Sequence, residues 1–445
     1  MKVSVIGSGY VGLVSAVCLA DKSHNVICVD SNVNKVDKIN RAESPIYEVG
    51  LDELLSANIN INLNATTNLS NSVLNSDVSL IAVGTPFNGT EIDLKYIRQV
   101  AKEIGQVLKE KDDYHVIIVK STVVPGTTDN VVIPILEKYS EKKAGIDFGV
   151  GMNPEFLREG QAIEDFMKPD RIVLGGIDER THQKMTELYL SFSGVDILKT
   201  NNKTAEMVKY TSNSVLATLI SFSNEIGNLC SSIGDIDVVD VMKGVHLDKR
   251  ISPILVNGDR VTPTITTYLE AGCGFGGSCF PKDVNALISH GNKFNQSLSL
   301  LKVVMDINQA QPYLILDRLN EHYPNTSGLK VAVLGLAFKP GTDDMRESPA
   351  IPIVKKLIEG NAIIKAYVPV AEEKAKIVFN NTDITYCNSL NDVLINTDAV
   401  LLLTRWPEFS KLPNIINSIG INPLVIDGRR MLPKDSVSRY EGIGL

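Results

Sequence analysis

Cys279 stands in the stretch Gly274-Phe275-Gly276-Gly277-Ser278-Cys279-Phe280-Pro281-Lys282-Asp283, behind three glycines in four residues. Such glycines free a backbone to lie close to a ligand. A thiol at a helix start, or beside Lys282, can have a lowered pKa and act as a nucleophile. Asp283 is expected to begin the helix DVNALISH and to cap it. The competing reading is a buried, inert cysteine with a capping aspartate, and for an isolated cysteine it would win.

A second constellation is Gly7-Ser8-Gly9-Tyr10-Val11-Gly12, between an apolar strand and the helix that Tyr10 and Val11 open. Gly7 allows the tight turn, Gly9 a close approach to a pyrophosphate, and Gly12 close helix–strand packing. The unpaired N–H groups at the helix start face the phosphates. Asp30 ends the next strand. Its carboxylate can accept from both ribose hydroxyls and repels a 2′-phosphate, so the cofactor is read as NAD rather than NADP. Lys35 either reaches the adenosine side or is an ordinary surface lysine. Gly84-Thr85-Pro86 and Lys120-Ser121-Thr122 each follow an apolar strand, at the strand end where open α/β sheets bind ligands.

The two constellations combine chemically. Oxidising an alcohol with NAD needs only a base. Carrying an aldehyde on to an acid benefits from a thiolate, whose thiohemiacetal can lose a second hydride and leave a hydrolysable thioester. NAD plus a loop cysteine therefore points to an aldehyde dehydrogenase or to a four-electron alcohol-to-acid oxidation.

The elements that must hold these groups alternate. Strand-like runs at 2–6, 25–29, 78–83, 115–119 and 171–175 surround a helix at 10–22. From 204 to 232 the apolar spacing turns helical, and 235–244 and 283–290 also read as helices. Residues 298–322 read as one long helix with Pro312 as a possible kink. Strands return at 330–338, 362–368, 398–404 and 423–428, around a helix at 349–359. The fold class is α/β: two Rossmann-like, doubly wound parallel-sheet domains joined by a central helical domain with a long helix. The domains are expected at 1–202 for NAD, 203–325 for dimerisation and the cysteine loop, and 326–445 for a second ligand.

Composition narrows the class. With 445 residues and 44% apolar content the chain can bury large cores unaided. A formal charge of −8 disfavours a general nucleic-acid binder. No apolar run reaches a membrane span, and VSVI breaks at once into glycines, unlike a signal peptide. The expected address is the cytoplasm. The six cysteines and six histidines form no metal-ligand spacing, so no metal is expected and the thiols should be free.

The ordered motifs resemble one family over nearly the whole chain. They include GSGYVG, SPIYEVGL, VGTP, KSTVVPGTT, NPEFLREG, FMKPDRIVLG, EMVKYTSNSVLATLISFSNE, GFGGSCFPKD, FKPGTDDMRESPA and VIDGRR. This set resembles the nucleotide-sugar 6-dehydrogenases, the UDP-glucose/GDP-mannose dehydrogenase family. The resemblance implies NAD as cofactor, UDP-glucose as substrate, UDP-glucuronate as product and a homodimer. It implies that Cys279 is the nucleophile and that Lys209 and Asn213, four apart on one helix face, stabilise an oxyanion. By the same resemblance, Asp283 is expected to help a water, assisted by Thr122 and Glu159, and Glu155 to stand beside the nicotinamide and the cysteine loop. It likewise implies that Lys339 and Arg429 contact the sugar nucleotide, that Arg346 contacts NAD, and that Phe156, Leu157, Phe275 and Gly276 line the substrate. Taken singly, each of these residues has a plainer reading: Lys209 a solvated helix lysine, Arg346 and Arg429 partners of local carboxylates.

The chain departs from the family pattern at Val49, where YEPGL reads YEVGL, and at Arg405, where TEWPEF reads TRWPEF. Residues 246–273 carry extra length and two arginines, Arg250 and Arg260, either of which could take the family's arginine role toward a partner subunit. Ser278 stands where relatives acting on N-acetylated UDP-sugars usually carry histidine. The same reaction on GDP-mannose, a two-electron hydroxyacid dehydrogenase with a structural Cys279, and a non-catalytic NAD- or nucleotide-sugar-binding regulator remain the alternatives.

Overall fold

The computed structural model describes all 445 residues, Met1–Leu445. By its internal contacts the chain divides into two compact units, Met1–Ser212 and Asn213–Leu445.

The first unit is built on eight strands: β1 (Lys2–Ile6), β2 (Asn25–Val29), β3 (Leu63–Thr66), β4 (Val78–Ile81), β5 (His115–Val119), β6 (Phe148–Met152), β7 (Arg171–Gly176) and β8 (Asp196–Thr200). They lie in the order β3-β2-β1-β4-β5-β6-β7-β8. Helices cover both faces, so central strands such as HVIIV are buried at every position and read as unbroken apolar runs. Pairing is parallel from β3 to β6, as the alternation predicts. The parallel expectation is corrected at β7, which runs antiparallel to β6. The connection between them holds only the six-residue helix Ala162–Met167. A helix of that length is too short to carry the chain back along the sheet, so β7 starts from the end where β6 stopped. The run 78–83 ends as a strand at Ile81, and the Ser121 hydroxyl donates to the Val83 carbonyl at 2.7 Å just beyond it.

The second unit carries six strands, all parallel: β9 (Lys330–Leu334), β10 (Ile363–Tyr367), β11 (Ile384–Cys387), β12 (Ala399–Leu402), β13 (Leu424–Asp427) and β14 (Tyr440–Gly442). Their order is β11-β10-β9-β12-β13-β14. The helical segment before them contains Val238–His246, Phe280–Asn292, Ser299–Ala310 and Tyr313–His322. It is entered by one 32-residue helix, Asn202–Ile233. The single helix expected over 298–322 is two helices. Pro312, which has no N–H to donate and clashes with the preceding turn, separates them. Gln311 at the break is fully buried and its side-chain amide bonds Asn228 and the Gly272 carbonyl.

Candidate active site

In the first unit the strand order reverses between β1 and β4, which places the segments after both strands at one crevice. The glycine turn follows β1. Gly7 has φ +104°, and a Cβ there would stand 2.6 Å from the Ala82 carbonyl oxygen. A Cβ on Gly12 would stand 1.8 Å from the Gly7 carbonyl oxygen, so this helix can rest on the turn only without a side chain. Gly9 is different: nothing lies within 4 Å of where its Cβ would be. Gly9 is also the N-cap of the helix Tyr10–Asp21, and no side chain caps it. The first-turn N–H groups, including those of Tyr10 and Val11, therefore have no partner inside the helix. An open cradle at Gly9, free donors and a helix dipole fit a dinucleotide pyrophosphate.

Asp30 sits at the end of β2. Its Oδ2 accepts from the Ser8 N–H at 2.9 Å and the Ser8 hydroxyl at 2.6 Å, and its Oδ1 from the Asn32 N–H at 2.9 Å. Burial alone would raise its pKa, but these donors and Lys35, 3.8 Å away, hold it below the ordinary value. Asp30 thus fixes the turn through Ser8 and Asn32. Gly84 also faces open space, and the Thr85 hydroxyl donates to the Thr122 carbonyl at 2.7 Å. That bond joins the segments after β4 and β5, bringing together Gly84, Thr85, Pro86 and Thr122.

The segment after β6 carries Glu155, Phe156, Leu157 and Glu159. Glu155 and Lys209 are both buried, with Oε1 and Nζ 3.0 Å apart. The other Glu155 oxygen accepts from the Leu157 N–H at 2.6 Å. Burial pushes this carboxyl up, yet Lys209, the Leu157 N–H and Lys120 together keep it below the ordinary carboxylate value. Lys209 is therefore not a solvated helix lysine. Its ammonium also lies 5.5 Å from the centre of the Phe156 ring, which stacks on Arg171 at 3.8 Å.

Two charged residues here have no individual role read from sequence, although Lys120 stands in a strand-end segment singled out there. Lys120 is buried and donates to Asn153 Oδ1 at 2.9 Å. Burial pushes its pKa down to about 8, partly offset by Glu155. Glu206, fully buried one turn before Lys209, accepts from the N–H groups of Gly126 and Thr128 and from the Thr128 hydroxyl. Burial pushes it up to about 7 against those donors. It ties the segment after Thr122 to the start of the long helix. Both residues lie inside motifs that are legible as strings, KSTVVPGTT and EMVKYTSN. Their burial is a tertiary fact that spacing alone does not carry.

In the second unit the helix after the cysteine begins at Phe280, with Pro281 in its first turn and Cys279 as N-cap. The expectation that Asp283 starts and caps this helix is corrected. Proline is favoured in a first turn, so the helix starts three residues earlier. Asp283 is instead a buried carboxylate, bonded to the Asn213 side-chain amide at 2.6 Å and to Lys282 Nζ at 2.5 Å. Cys279 is partly exposed, its Sγ 3.6 Å from the Ser278 hydroxyl. The thiol thus stands at a helix N-terminus, where the backbone N–H groups and the helix dipole point toward it.

The glycines before it lie flat on the segment after β9. A Cβ on Gly276 would stand 2.1 Å from the Glu347 carbonyl oxygen, and one on Gly277 2.8 Å from the Phe338 ring. Asn308 clamps Phe275 by both backbone groups, accepting its N–H at 2.8 Å and donating to its carbonyl at 3.0 Å. The Phe275 ring is buried against Phe280 and in a core with Val304 and Met305, so this residue presents backbone rather than ring to a ligand. Arg429 spends its guanidinium on the carbonyls of Leu403 at 2.8 Å and Gly274 at 2.9 Å, holding the cysteine loop to the end of β12. Arg346 is paired in bidentate fashion with Asp344. Lys339 lies 5.7 Å from the Phe338 ring. The second sheet reverses its order between β9 and β12, so Phe338, Lys339, Thr404 and Arg405 follow the strands that frame its crevice.

The departures also have places. Arg405 bonds Glu270 and the Arg429 carbonyl. Val49 is exposed beside Gly50. Arg260 donates to the carbonyls of Leu247 and Ser252, whereas Arg250 is highly exposed and paired with Asp248.

Residues 1–193, 203–310 and 332–434 match, in turn, the NAD binding, central and UDP binding domains of the UDP-glucose/GDP-mannose dehydrogenase family. A UDP-glucose 6-dehydrogenase of Haloferax volcanii is 39% identical over 448 residues, with both chains covered completely. A GDP-mannose 6-dehydrogenase of Azotobacter vinelandii is 37% identical over 455 residues, again with complete coverage of both. The solved structure of a UDP-glucose dehydrogenase from Pyrobaculum islandicum superposes with a TM-score of 0.88 at 36% identity, covering 99% of this chain and 97% of that one.

Proposed function

The chain belongs to the UDP-glucose/GDP-mannose dehydrogenase family, and we propose that within it the chain oxidises UDP-glucose to UDP-glucuronate. The family activity is NAD-dependent oxidation of a nucleotide sugar, and the N-terminal domain is an NAD-binding domain. The observation that carries the covalent route is Cys279 at the N-cap of a 13-residue helix, behind a glycine loop clamped by Asn308 and Arg429.

The overall balance converts one primary alcohol, one water and two NAD⁺ into a carboxylate, two NADH and three protons. NAD, when bound, accepts a hydride in each of the two oxidations. The chain's residues do the rest. Gly7, Gly9, Tyr10, Val11 and Gly12 seat the pyrophosphate, Asp30 and Lys35 the adenosine ribose, and Gly84, Thr85, Pro86 and Arg346 the remainder. Asp283, with Thr122 and Glu159, holds the water that takes the hydroxyl proton. Cys279 Sγ adds to C6 of the aldehyde, and the resulting oxyanion is stabilised by the Lys209 ammonium and the Asn213 amide. After the second oxidation the thioester is cleaved by water, which releases the thiol. Glu155 keeps Lys209 in place beside the nicotinamide. Phe156, Leu157, Gly276, Lys339 and the Phe275 backbone hold the sugar nucleotide, and Arg429 holds the Gly274 end of the cysteine loop against it. The three-part division at 1–202, 203–325 and 326–445 assigns NAD to the first part and UDP to the last.

UDP-glucose is supported by the Haloferax relative and by Ser278 before the cysteine. GDP-mannose is the second reading, favoured by the Azotobacter relative at nearly the same identity. A homodimer fits the exposed Val215, Phe222 and Leu229, seven residues apart on one face of the helix Asn202–Ile233. The test is kcat/KM for UDP-glucose, UDP-galactose, UDP-N-acetylglucosamine and GDP-mannose under one set of NAD conditions. UDP-glucose leading the others by at least about 100-fold, the scale of a one-methylene difference in a fitted pocket and well below that of a hydrogen-bonded discrimination, supports the reading. GDP-mannose leading overturns the substrate and keeps the chemistry.

A further inference from the structure

Glu48 lies between the helices Val33–Asn40 and Leu51–Asn58, in the motif SPIYEVGL, and no role above uses it. It is 5% exposed. Oε2 accepts from the Tyr10 hydroxyl and from the Gly160 N–H at 2.6 Å, and Oε1 accepts from the Ala162 N–H at 2.7 Å. The Gly160 N–H also reaches the Tyr10 oxygen at 3.0 Å. No lysine, arginine or histidine pairs with this carboxylate. A buried carboxylate without a counter-ion is costly to keep, and an apolar residue would pack there more cheaply. Its partners suggest what it does instead.

Tyr10 is the first residue of the helix whose open N-terminus fits the pyrophosphate. Gly160 and Ala162 close the segment that begins with Glu155 and carries Phe156, Leu157 and Glu159. Burial and the Glu48 carboxylate push the Tyr10 phenol well above its ordinary value, so it remains a donor at any working pH. One carboxylate therefore bridges the cofactor helix and the loop after β6. We propose that Glu48 is a positioning residue that transmits occupancy of the glycine turn to residues 155–162. NAD seated on the turn fixes Tyr10, Tyr10 fixes Glu48, and Glu48 fixes the Gly160 and Ala162 amides. The consequence for turnover rests on the functional reading above; the tether itself requires only that NAD binds the first unit.

The test is hydrogen–deuterium exchange of the full chain with and without NAD, following the peptide that spans 156–162, in wild type, Glu48→Gln and Tyr10→Phe. Gln is isosteric but turns an NH₂ toward one of the amide donors, and Phe keeps the ring without the hydroxyl. Wild type is expected to show slower exchange at Gly160 and Ala162 when NAD is added. Glu48→Gln is expected to bind NAD by calorimetry but to lose that protection, and Tyr10→Phe to lose most of it. With a sugar nucleotide, Glu48→Gln should lower kcat by at least about tenfold while KM for NAD moves far less, the pattern of misplaced groups rather than lost binding. NAD-induced protection that survives in both variants, or is absent in wild type, overturns the proposal. If Glu48→Gln does not fold, Tyr10→Phe decides it. A wild type that shows the protection but oxidises no nucleotide sugar would remove the functional reading and leave the tether standing.

Discussion

Lys209 Nζ and Glu155 Oε1 are 3.0 Å apart and both side chains are almost wholly buried. Neither partner is solvated enough for the pair to be screened. Removing either partner strands the other. Lys209→Met and Glu155→Gln are each expected to lower unfolding free energy by about 3–5 kcal/mol and to lose nearly all turnover. The double variant should recover much of the stability and none of the activity. Urea denaturation and NADH formation on the same samples check this. A double variant as unstable as the sum of the singles would show that the two residues are not a coupled pair.

The glycines of the turn make opposite predictions. Gly9→Ala adds a methyl into open space at φ −71°, so the melting temperature should barely move. With the proposed pyrophosphate seat at Gly9, that methyl should lower NAD affinity by at least about tenfold, the loss of some 1.4 kcal/mol. Gly12→Ala would place its methyl 1.8 Å from the Gly7 carbonyl oxygen, so the fold itself should suffer. Calorimetry with NAD and thermal melts separate the two.

Asp30 predicts cofactor choice. Its carboxylate is held below the ordinary pKa and is ionised throughout the physiological range. A 2′-phosphate would meet that charge directly. Wild type should prefer NAD to NADP strongly, and Asp30→Ala should narrow the ratio chiefly by weakening NAD. It should also loosen the turn, because Ser8 loses two bonds. An Asp30→Ala variant with an unchanged NAD/NADP ratio would remove this role.

His115 predicts acid sensitivity. It is fully buried, with Nδ1 on the Ser76 carbonyl at 3.1 Å and Nε2 on the Ser79 hydroxyl at 2.8 Å. Burial, aided by Lys111, pushes its pKa down to about 3 from the ordinary 6.5. Between these values the unfolded chain binds a proton that the folded chain refuses. Stability is therefore full above about 6.5 and declines as pH falls toward 3, at about 1.4 kcal/mol per unit from this group. His115→Gln should flatten that part of the pH profile of urea denaturation.

The glycine turn was legible because its signals are local. Three glycines at fixed spacing need only one strand and one helix around them, and the structure supplies both. The same holds for Cys279, where a glycine loop runs into a proline-started helix. Asp283 was misread as a cap because DVNALISH looks like a helix on its own; Pro281 two residues earlier was the better start signal. Lys120, Glu206 and Glu48 were not legible. Each is charged, and nothing in spacing says that a charged residue is buried or which distant backbone it will hold. Arg429 shows the same limit: its donors go to Gly274 and Leu403, partners that only the folded chain brings near.

The central claim is a four-electron oxidation through Cys279. The direct measurement is NADH formed per molecule of UDP-glucose consumed to completion, for wild type and for Cys279→Ser. The account predicts two NADH for wild type and failure of Cys279→Ser to reach two at a comparable rate. One NADH per sugar, or a serine variant that matches wild type, would contradict it.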